Sequence, residues 1–328
     1  MSKYHAVNTN LSVVIPTFNR KNELDRVLTA LGKQTFPSTK YEIIIIDDGS
    51  EDGTAELIEN YQENSIIPLY YYFQKNKGPA AARNLGIKKA KFHLILFIND
   101  DTIPADDLIE QHIDWHQKWT AENVAVLGKA TWANGISVPV YAEHYLIPQF
   151  EKLEGNQEVR PVDFITCNIS VKKAFLLNNG LFDEDFPYAA HEDRELGIRL
   201  GEKGLCIKYN PQALVYHYHI FRNLDVVLGH SKRLGQALAI WEEKIFDKKE
   251  LLAEFNLTDF SSSIKTAREK VKDLVFNNYT LRWWRWVISK LNDENAFAGY
   301  LYQHIIGRAQ REGYRSQKKI YNSRQKTP

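Results

Sequence analysis

A doubly wound α/β sheet, mostly parallel and flanked by helices, with a helical extension at the carboxyl end, is the architecture this sequence predicts. Three observations carry that prediction. From residue 11 onward, apolar runs alternate with segments of helical period, the pattern of successive strand–helix–strand units. The runs LSVVIP, YEIIIIDD and HLILFIND each finish on polar or acidic side chains. Beyond Phe221 the pattern becomes helical throughout, from HSKRLGQALAIWEEKIF to TLRWWRWVISKL.

Taken in order, LSVVIP (11–16) reads as a buried strand. Leu24, Val27, Leu28 and Leu31 then recur at i, i+3, i+4 and i+7, giving a helix with one apolar face. YEIIIIDDGS supplies a second strand, and residues 54–62 a short helix with Leu57, Ile58 and Tyr61 inward. PLYYYF is a third strand, and GPAAARNLGIKKA a helix opened by Pro79. HLILFI is a fourth strand, and Pro104 is read as the start of a helix carrying Leu108, His112 and His116 on one face. From Val124 the pattern loosens into long loops, with a further strand in DFITCNISV. A helix is expected from about Glu192 to Gly201 or Gly204, and a closing strand or pair in CIKYNPQALVYHYH. Residues 1–225 are accordingly assigned to one α/β domain, the one that carries the candidate site residues, and 226–328 to a helical, basic extension.

Composition narrows the class. At 328 residues, 44% hydrophobic and 25% charged, the chain has the make-up of an ordinary globular protein. No apolar run reaches bilayer-spanning length, and MSKYHAVNTN is a polar leader without signal character. Cys167 and Cys206 stand apart with no CxxC spacing, which suits a reducing compartment, so a cytoplasmic location is expected. The net charge of +1 conceals an asymmetry: residues 263–328 hold 14 Lys/Arg against 5 Asp/Glu. A basic tail on an acidic body points to an anionic partner, or to the body itself.

In open parallel sheets, ligands bind beyond the carboxyl ends of the strands. Thr17 and Asn19, then Asp47 and Asp48, then Asn99, Asp100 and Asp101 all fall at such ends. Taken alone, Asp47-Asp48-Gly49-Ser50 could be a strand-to-helix turn with an N-cap, and Asp100, Asp101 and Thr102 could be helix caps. The motifs SVVIPTFNR, IIIIDDGSEDGT, GPAAARNLGI, FINDDTIP, GLFDEDF and HEDRELGIRL run in this order between Ser12 and Leu200. In that order and spacing they resemble family 2 of the glycosyltransferases, over residues 11 to about 220.

The resemblance implies a GT-A fold and an inverting transfer from a nucleotide-diphosphate sugar, with a UDP-sugar foremost. The acceptor would be a saccharide or a lipid-linked glycan, in the biosynthesis of cell-envelope polysaccharide. By the same resemblance, Asp48 reads the base, Pro16, Thr17 and Asn19 line the nucleoside pocket beside Asp47, and Arg83 lies against the nucleotide. FINDDT corresponds to the family's Asp-x-Asp element. Asp101 is then the ligand of a divalent cation, Mn²⁺ or Mg²⁺, and Asp100 sits with the nucleotide sugar. Asn99 stands where the family has its first Asp: its amide can reach ribose but adds no charge. His217 or His219, in VYHYH, occupies the place of a histidine near the metal or the β-phosphate, and hydrogen-bonded packing is the alternative. Asp193 is the implied general base, at a helix N-terminus that favours a carboxylate. Glu192 orients it or meets the acceptor, and Glu195 and Arg199 form an i, i+4 pair.

Rival chemistries fit less well. A sugar-phosphate nucleotidyltransferase calls for a glycine-rich phosphate loop after the first strand, and PTFNRKNEL has no glycine. A dinucleotide oxidoreductase lacks its GxGxxG. A weakened member that binds nucleotide or glycan, or acts as a scaffold, is suggested by Asn99 alone. His112 and His116 have HxxxH spacing without the Glu of a zinc hydrolase and are read as a partly buried helix face. In TLRWWRWVISKL, Trp284, Val287, Ile288 and Leu291 fall on one side and Arg282, Arg285 and Ser289 on another. That pattern fits packing, a dimer interface, or an interfacial helix on an anionic membrane surface. No nucleic-acid partner is expected.

Overall fold

Four parallel strands form the first half of a nine-stranded sheet, and their register fixes where the functional side chains meet. In the computed structural model, residues 10–136, 150–218, 224–245, 247, 249–254, 274–277, 279–288, 290–291 and 296–324 are described. They divide into two compact units: residues up to Ile136 with Phe150–Tyr218, and residues from Leu224 onward.

In the first unit, β1 (Leu11–Thr17) lies between β2 (Tyr41–Asp47) and β4 (Leu94–Ile98), and β3 (Leu69–Phe73) lies outside β2. The helices α1 (Lys21–Leu31), α2 (Thr54–Asn64) and α3 (Pro79–Lys89) make the crossovers. The chain winds outward from β1 through β2 to β3, then returns past β1 to form β4. The β1/β4 boundary is therefore the switch point at which an open sheet leaves a crevice. Thr17 is level with Asp47, and Val14 with Phe97, so the ends of β1, β2 and β4 open onto one rim. Leu24, Val27, Leu28 and Leu31 are buried as the helical period required.

The second half of the sheet departs from the parallel pattern. Beyond β4 come β8 (Asn168–Lys172), β6 (Val124–Trp132), β9 (Cys206–His217) and β5 (Thr102–Pro104), with β7 (Glu158–Val159) paired to β9. β8 runs antiparallel to both β4 and β6, while β6 and β9 are parallel. Three local expectations change. Pro104 closes the short strand β5 instead of opening a helix, and α4 (Leu108–Lys118) begins four residues later. Proline is tolerated there because β5 is the last strand in the sheet order and an edge position needs no amide donor. Val124–Trp132 is a full strand, and Lys173–Asn179 forms an additional helix, α5.

Helix α6 (Glu192–Gly201) is held against the turn 161–163 through Gly197. A Cβ at that position would fall on the Pro161 carbonyl oxygen and 2.5 Å from the Phe164 Cβ. Gly197→Ala gains roughly 1 kcal/mol of helix propensity but overpacks backbone that cannot yield, at a cost of about 1–3 kcal/mol or more. A lower Tm with impaired turnover is therefore expected, because α6 carries the candidate base. An unchanged Tm would refute this packing account.

In the second unit, α7 (Leu224–Lys244) is followed by the short α8 (Lys249–Glu254) and packs on α10 (Ala296–Arg324), where Gly235 and Gly313 bring the two backbones close. Phe276, Ile288, Leu301, Tyr302, Ile305 and Ile306 form its core. Trp284, Val287 and Leu291, on and just beyond α9 (Leu281–Ile288), turn toward that core as their spacing predicted. Arg282 is exposed and Arg285 pairs with Asp225 at 2.5 Å, while Ser289 lies outside the described residues. Trp283 and Trp286 are 55% and 59% exposed on the same helix. Lys318 reaches Glu242 at 2.8 Å and also meets Glu243, so part of the tail's basic excess is neutralised within the unit. No described helix is long and apolar enough to cross a membrane.

Candidate active site

At the β2 edge of the rim, Asp47 and Asp48 divide two tasks. Asp47 is 1% exposed, accepts from the Gly49 and Ser50 amides at 3.1 and 2.8 Å, and takes the Tyr71 hydroxyl at 2.7 Å. Those bonds make it the brace of the turn beneath the rim. Asp48 accepts from the Gln74 side chain (2.7 Å) and from the amides of Lys77 and Gly78 (both 2.8 Å), fastening the loop that leads into α3. A carboxylate offers about four acceptor positions, so Asp48 retains capacity for one more donor. Asn19 has φ 52°, a left-handed conformation that Asn tolerates, and its Oδ1 accepts from the Glu51 amide at 2.8 Å. It thereby joins the loops after β1 and β2. Pro16 is half-buried on β1, and Phe18 is exposed beside it.

At the β1/β4 switch point, the Thr17 hydroxyl donates to Asp100 Oδ2 at 2.9 Å. Arg20 Nη1 lies 3.2 Å from Asp100 Oδ1 and 2.5 Å from Asp101 Oδ2. Burial pushes the Asp100 carboxyl up to about 6, against the opposing pull of Arg20. The register Thr102↔His217 between β5 and β9 carries the His217 imidazole to Asp101, with Nε2 3.8 Å from Oδ1. Trp132 packs edge-on against the ring of His217, centroids 5.4 Å apart. His219 lies outside the described residues.

Among the described residues no three His, Cys, Asp or Glu side chains converge on one point. What converges is one carboxylate and one imidazole. That donor set does not suit an all-protein cage, but it fits a small divalent cation that takes few protein ligands and completes its shell with water and substrate phosphate.

The third side of the rim is built by α3 and α6. Arg83, 2% exposed, donates from Nη1 to Glu192 Oε1 at 2.7 Å and from Nη2 to Asn99 Oδ1 at 3.1 Å. The Asn99 amide is thus directed at Arg83. A second carboxylate at this position would compete with Glu192 for one guanidinium. Asn84 exchanges bonds of 2.9 Å with the Phe182 backbone, tying GPAAARNLG to GLFDEDF. Gly86 allows the close approach of α3 to Val14 on β1. Asp193, in the first turn of α6, accepts from the Arg194 amide at 2.8 Å and from Thr166 at 3.3 Å. His191 precedes it in left-handed geometry, φ 66°. Glu195 and Arg199 form the expected i, i+4 pair at 2.6 and 2.8 Å.

Burial, with Asp193 adding to it, pushes the Glu192 carboxyl up to about 7 despite Arg83. The folded state then holds a proton that the unfolded chain releases near 4.5, so this group's stabilising contribution is present at low pH and is lost as pH rises through about 7. Glu192→Gln is expected to flatten the fall of Tm between about pH 4.5 and about pH 7. Parallel Tm–pH curves for the two proteins would rule this out.

Two residues at the rim were not singled out by sequence reasoning. Arg20 ends the first motif, one position past Asn19, and its charge complement to two adjacent carboxylates was the available signal. Cys167 is buried, its thiol pushed upward by burial with Asp193 and Asp101 adding to that. No sequence pattern marked it. His112 and His116 lie away from the rim. His112 contacts Ser170 (2.8 Å) and Asn168 (2.9 Å), His116 contacts Ser170 (2.8 Å), and burial lowers His112 to about 4. They are buried ties between α4 and β8.

Comparison with known proteins gives concordant results. Residues 12–177 match the family model described as Glycosyl transferase family 2. Validoxylamine A glucosyltransferase of Streptomyces hygroscopicus subsp. limoneus is 30% identical over 231 residues, 62% of this chain and 50% of that protein. The match thus spans half the length of that curated relative. S. aureus TarS 1–349 in complex with UDP-GlcNAc superposes with a TM-score of 0.60 at 20% identity, covering 96% of this chain and 92% of that one. Mannosyltransferase PcManGT from Pyrobaculum calidifontis, in complex with GDP-Man and Mn²⁺, gives 0.58 at 15% identity, with 92% and 86% covered. At these identities the two structures establish a shared fold.

Proposed function

The chain belongs to glycosyl transferase family 2 and has its GT-A-type fold, and on that premise we propose that it is an inverting glycosyltransferase. The donor is a nucleotide-diphosphate sugar, a UDP-sugar foremost, and the acceptor a saccharide or lipid-linked glycan of cell-envelope polysaccharide. Residues 1–225 form the catalytic part and 226–328 a basic helical extension. The observation that carries this reading is the meeting, on one rim, of Asp48, the Thr17–Asp100–Arg20–Asp101 cluster, the Arg83–Glu192 pair and Asp193.

In this reading Asp48 uses its remaining acceptor capacity for a base N–H, and Pro16 and Asn19 shape the nucleoside pocket. Asp101 and His217 would hold a divalent cation, Mn²⁺ or Mg²⁺, which when bound would supply Lewis-acid charge to the departing diphosphate. Asp193 accepts the proton of the acceptor hydroxyl as its oxygen attacks the anomeric carbon opposite the diphosphate, so one displacement inverts that centre. Arg83 holds Glu192 and Asn99 behind the base and fixes the first turn of α6. A member that binds nucleotide or glycan without turnover is the second reading, favoured by Asn99.

Hydrolysis assays with UDP-, dTDP- and GDP-sugars and Mn²⁺ test the proposal. Turnover of one donor that ceases on chelation supports it. A thermal shift with nucleotide but no turnover of any donor or donor–acceptor pair favours the second reading. The exposed Trp283 and Trp286 beside Arg282 further support a peripheral station on the inner face of an anionic membrane for a cytoplasmic enzyme. Equal sedimentation with phosphatidylglycerol and phosphatidylcholine vesicles would argue against that station.

A further inference from the structure

Among the described residues, a cationic side chain from just past the end of β1, Arg20, touches Asp101. Arg20 precedes α1, its carbonyl accepting the Leu24 amide at 2.9 Å, so its backbone is fixed by the helix. Its guanidinium rests on Asp100 Oδ1 (3.2 Å) and Asp101 Oδ2 (2.5 Å). The two aspartates are 6% and 5% exposed, whereas the arginine side chain is 40% exposed. The partner of the buried carboxylates is therefore the most solvent-exposed member of the cluster. Asp101 presents its other oxygen toward His217 at 3.8 Å.

Resting on the metal-dependent reading above, we propose that Arg20 is a built-in counter-cation that occupies Asp101 in the ligand-free protein and passes to the donor diphosphate when nucleotide and divalent cation bind together. Two adjacent buried carboxylates need a positive neighbour, and Arg20 supplies it. A divalent cation on Asp101 places like charge beside the guanidinium and leaves it Asp100 alone as counter-charge, so binding of the cation by itself displaces Arg20 from Asp101 at a cost. A diphosphate removes that cost, because it offers the guanidinium a planar, charge-assisted partner of the kind arginine pairs with in two-point fashion. Cation and nucleotide then each strengthen the other's binding by the same factor, with Arg20 as the positioning residue that couples them.

The test is Mn²⁺ binding itself, read by the loss of the free-ion electron paramagnetic resonance signal, with and without UDP and with no turnover required. Wild-type protein is expected to bind Mn²⁺ about tenfold more tightly with UDP present. Arg20→Gln is expected to bind Mn²⁺ about tenfold more tightly than wild type in the absence of UDP, and to lose most of the enhancement by UDP. Arg20→Lys, which keeps the charge, should stay near the wild-type pattern, and cooperative thermal unfolding of both variants certifies that they are folded. If Arg20→Gln gains no Mn²⁺ affinity without UDP, or if Arg20→Lys and Arg20→Gln gain it equally, the counter-cation role is overturned. If wild-type protein binds neither UDP nor Mn²⁺ in the presence of UDP, the donor-and-metal reading fails, and this coupling fails with it. Those two failures are separable, because the first leaves the wild-type titrations intact.

Discussion

Asp193→Asn is expected to lower kcat by about 10³-fold while leaving Tm and UDP binding close to wild type. Asparagine keeps the size of the side chain and one acceptor oxygen, which can take the shorter bond from the Arg194 amide (2.8 Å), and only the longer one from the Thr166 amide (3.3 Å) is given up. What is lost is the capacity to take a proton. In a single displacement there is no covalent intermediate to share that task, so the whole contribution of the base is at stake. Measuring kcat and Tm on the same preparation separates chemistry from folding. Full turnover by the variant would move the base elsewhere. The neighbouring carboxylate, Glu192, is 2% exposed and committed to Arg83, so in the proposed mechanism it serves as an orienting group.

The second large effect is on stability. Arg83→Met is expected to cost about 3 kcal/mol, because it leaves Glu192 buried without its cation. The pair lies within 2.7 Å, with both side chains 3% exposed. The cost sits at the lower end for such pairs because Glu192, already pushed up to about 7, can remain protonated when the arginine is gone. The double variant Arg83→Met/Glu192→Gln should recover part of the loss, since it removes the group left unpaired. Denaturant unfolding of the four proteins of this cycle measures the coupling. Strict additivity would show that the pair contributes nothing beyond its separate side chains.

Much of this site was legible along the chain because strand ends are local events. The apolar runs that stop at Thr17, Asp47 and Ile98 announce both the strands and the polar rim, and the helical period of α1 announces its buried face. Val124–Trp132 was missed because an interior strand buried on both faces shows no alternation, and Gly128 interrupts it next to a shift in register. Pro104 misled because proline opens helices and also ends edge strands, and only the partner strand distinguishes the two uses. The carboxylates themselves were visible, but not their division of labour. Asp47 and Asp48 are adjacent in sequence, yet alternation turns one into the β2 turn and the other toward the 74–78 loop.

The sequence by itself determined the parallel first half of the sheet, the three polar strand ends, the helix that begins at Glu192 and the six motifs in family order. Those follow from periodicity and residue type within short windows. Only the tertiary structure decided that Arg20 lies on carboxylates 80 and 81 positions away, and that Arg83 serves a glutamate 109 positions away. It also decided that His217 faces Asp101 through the β5–β9 register. Such pairings depend on strand order and crossover path, which bring distant residues within a few ångströms. Propensity and spacing carry no record of that order. The meaning of Asn99 turned on the same point: its neighbour is Arg83, and one guanidinium already holds one buried carboxylate there.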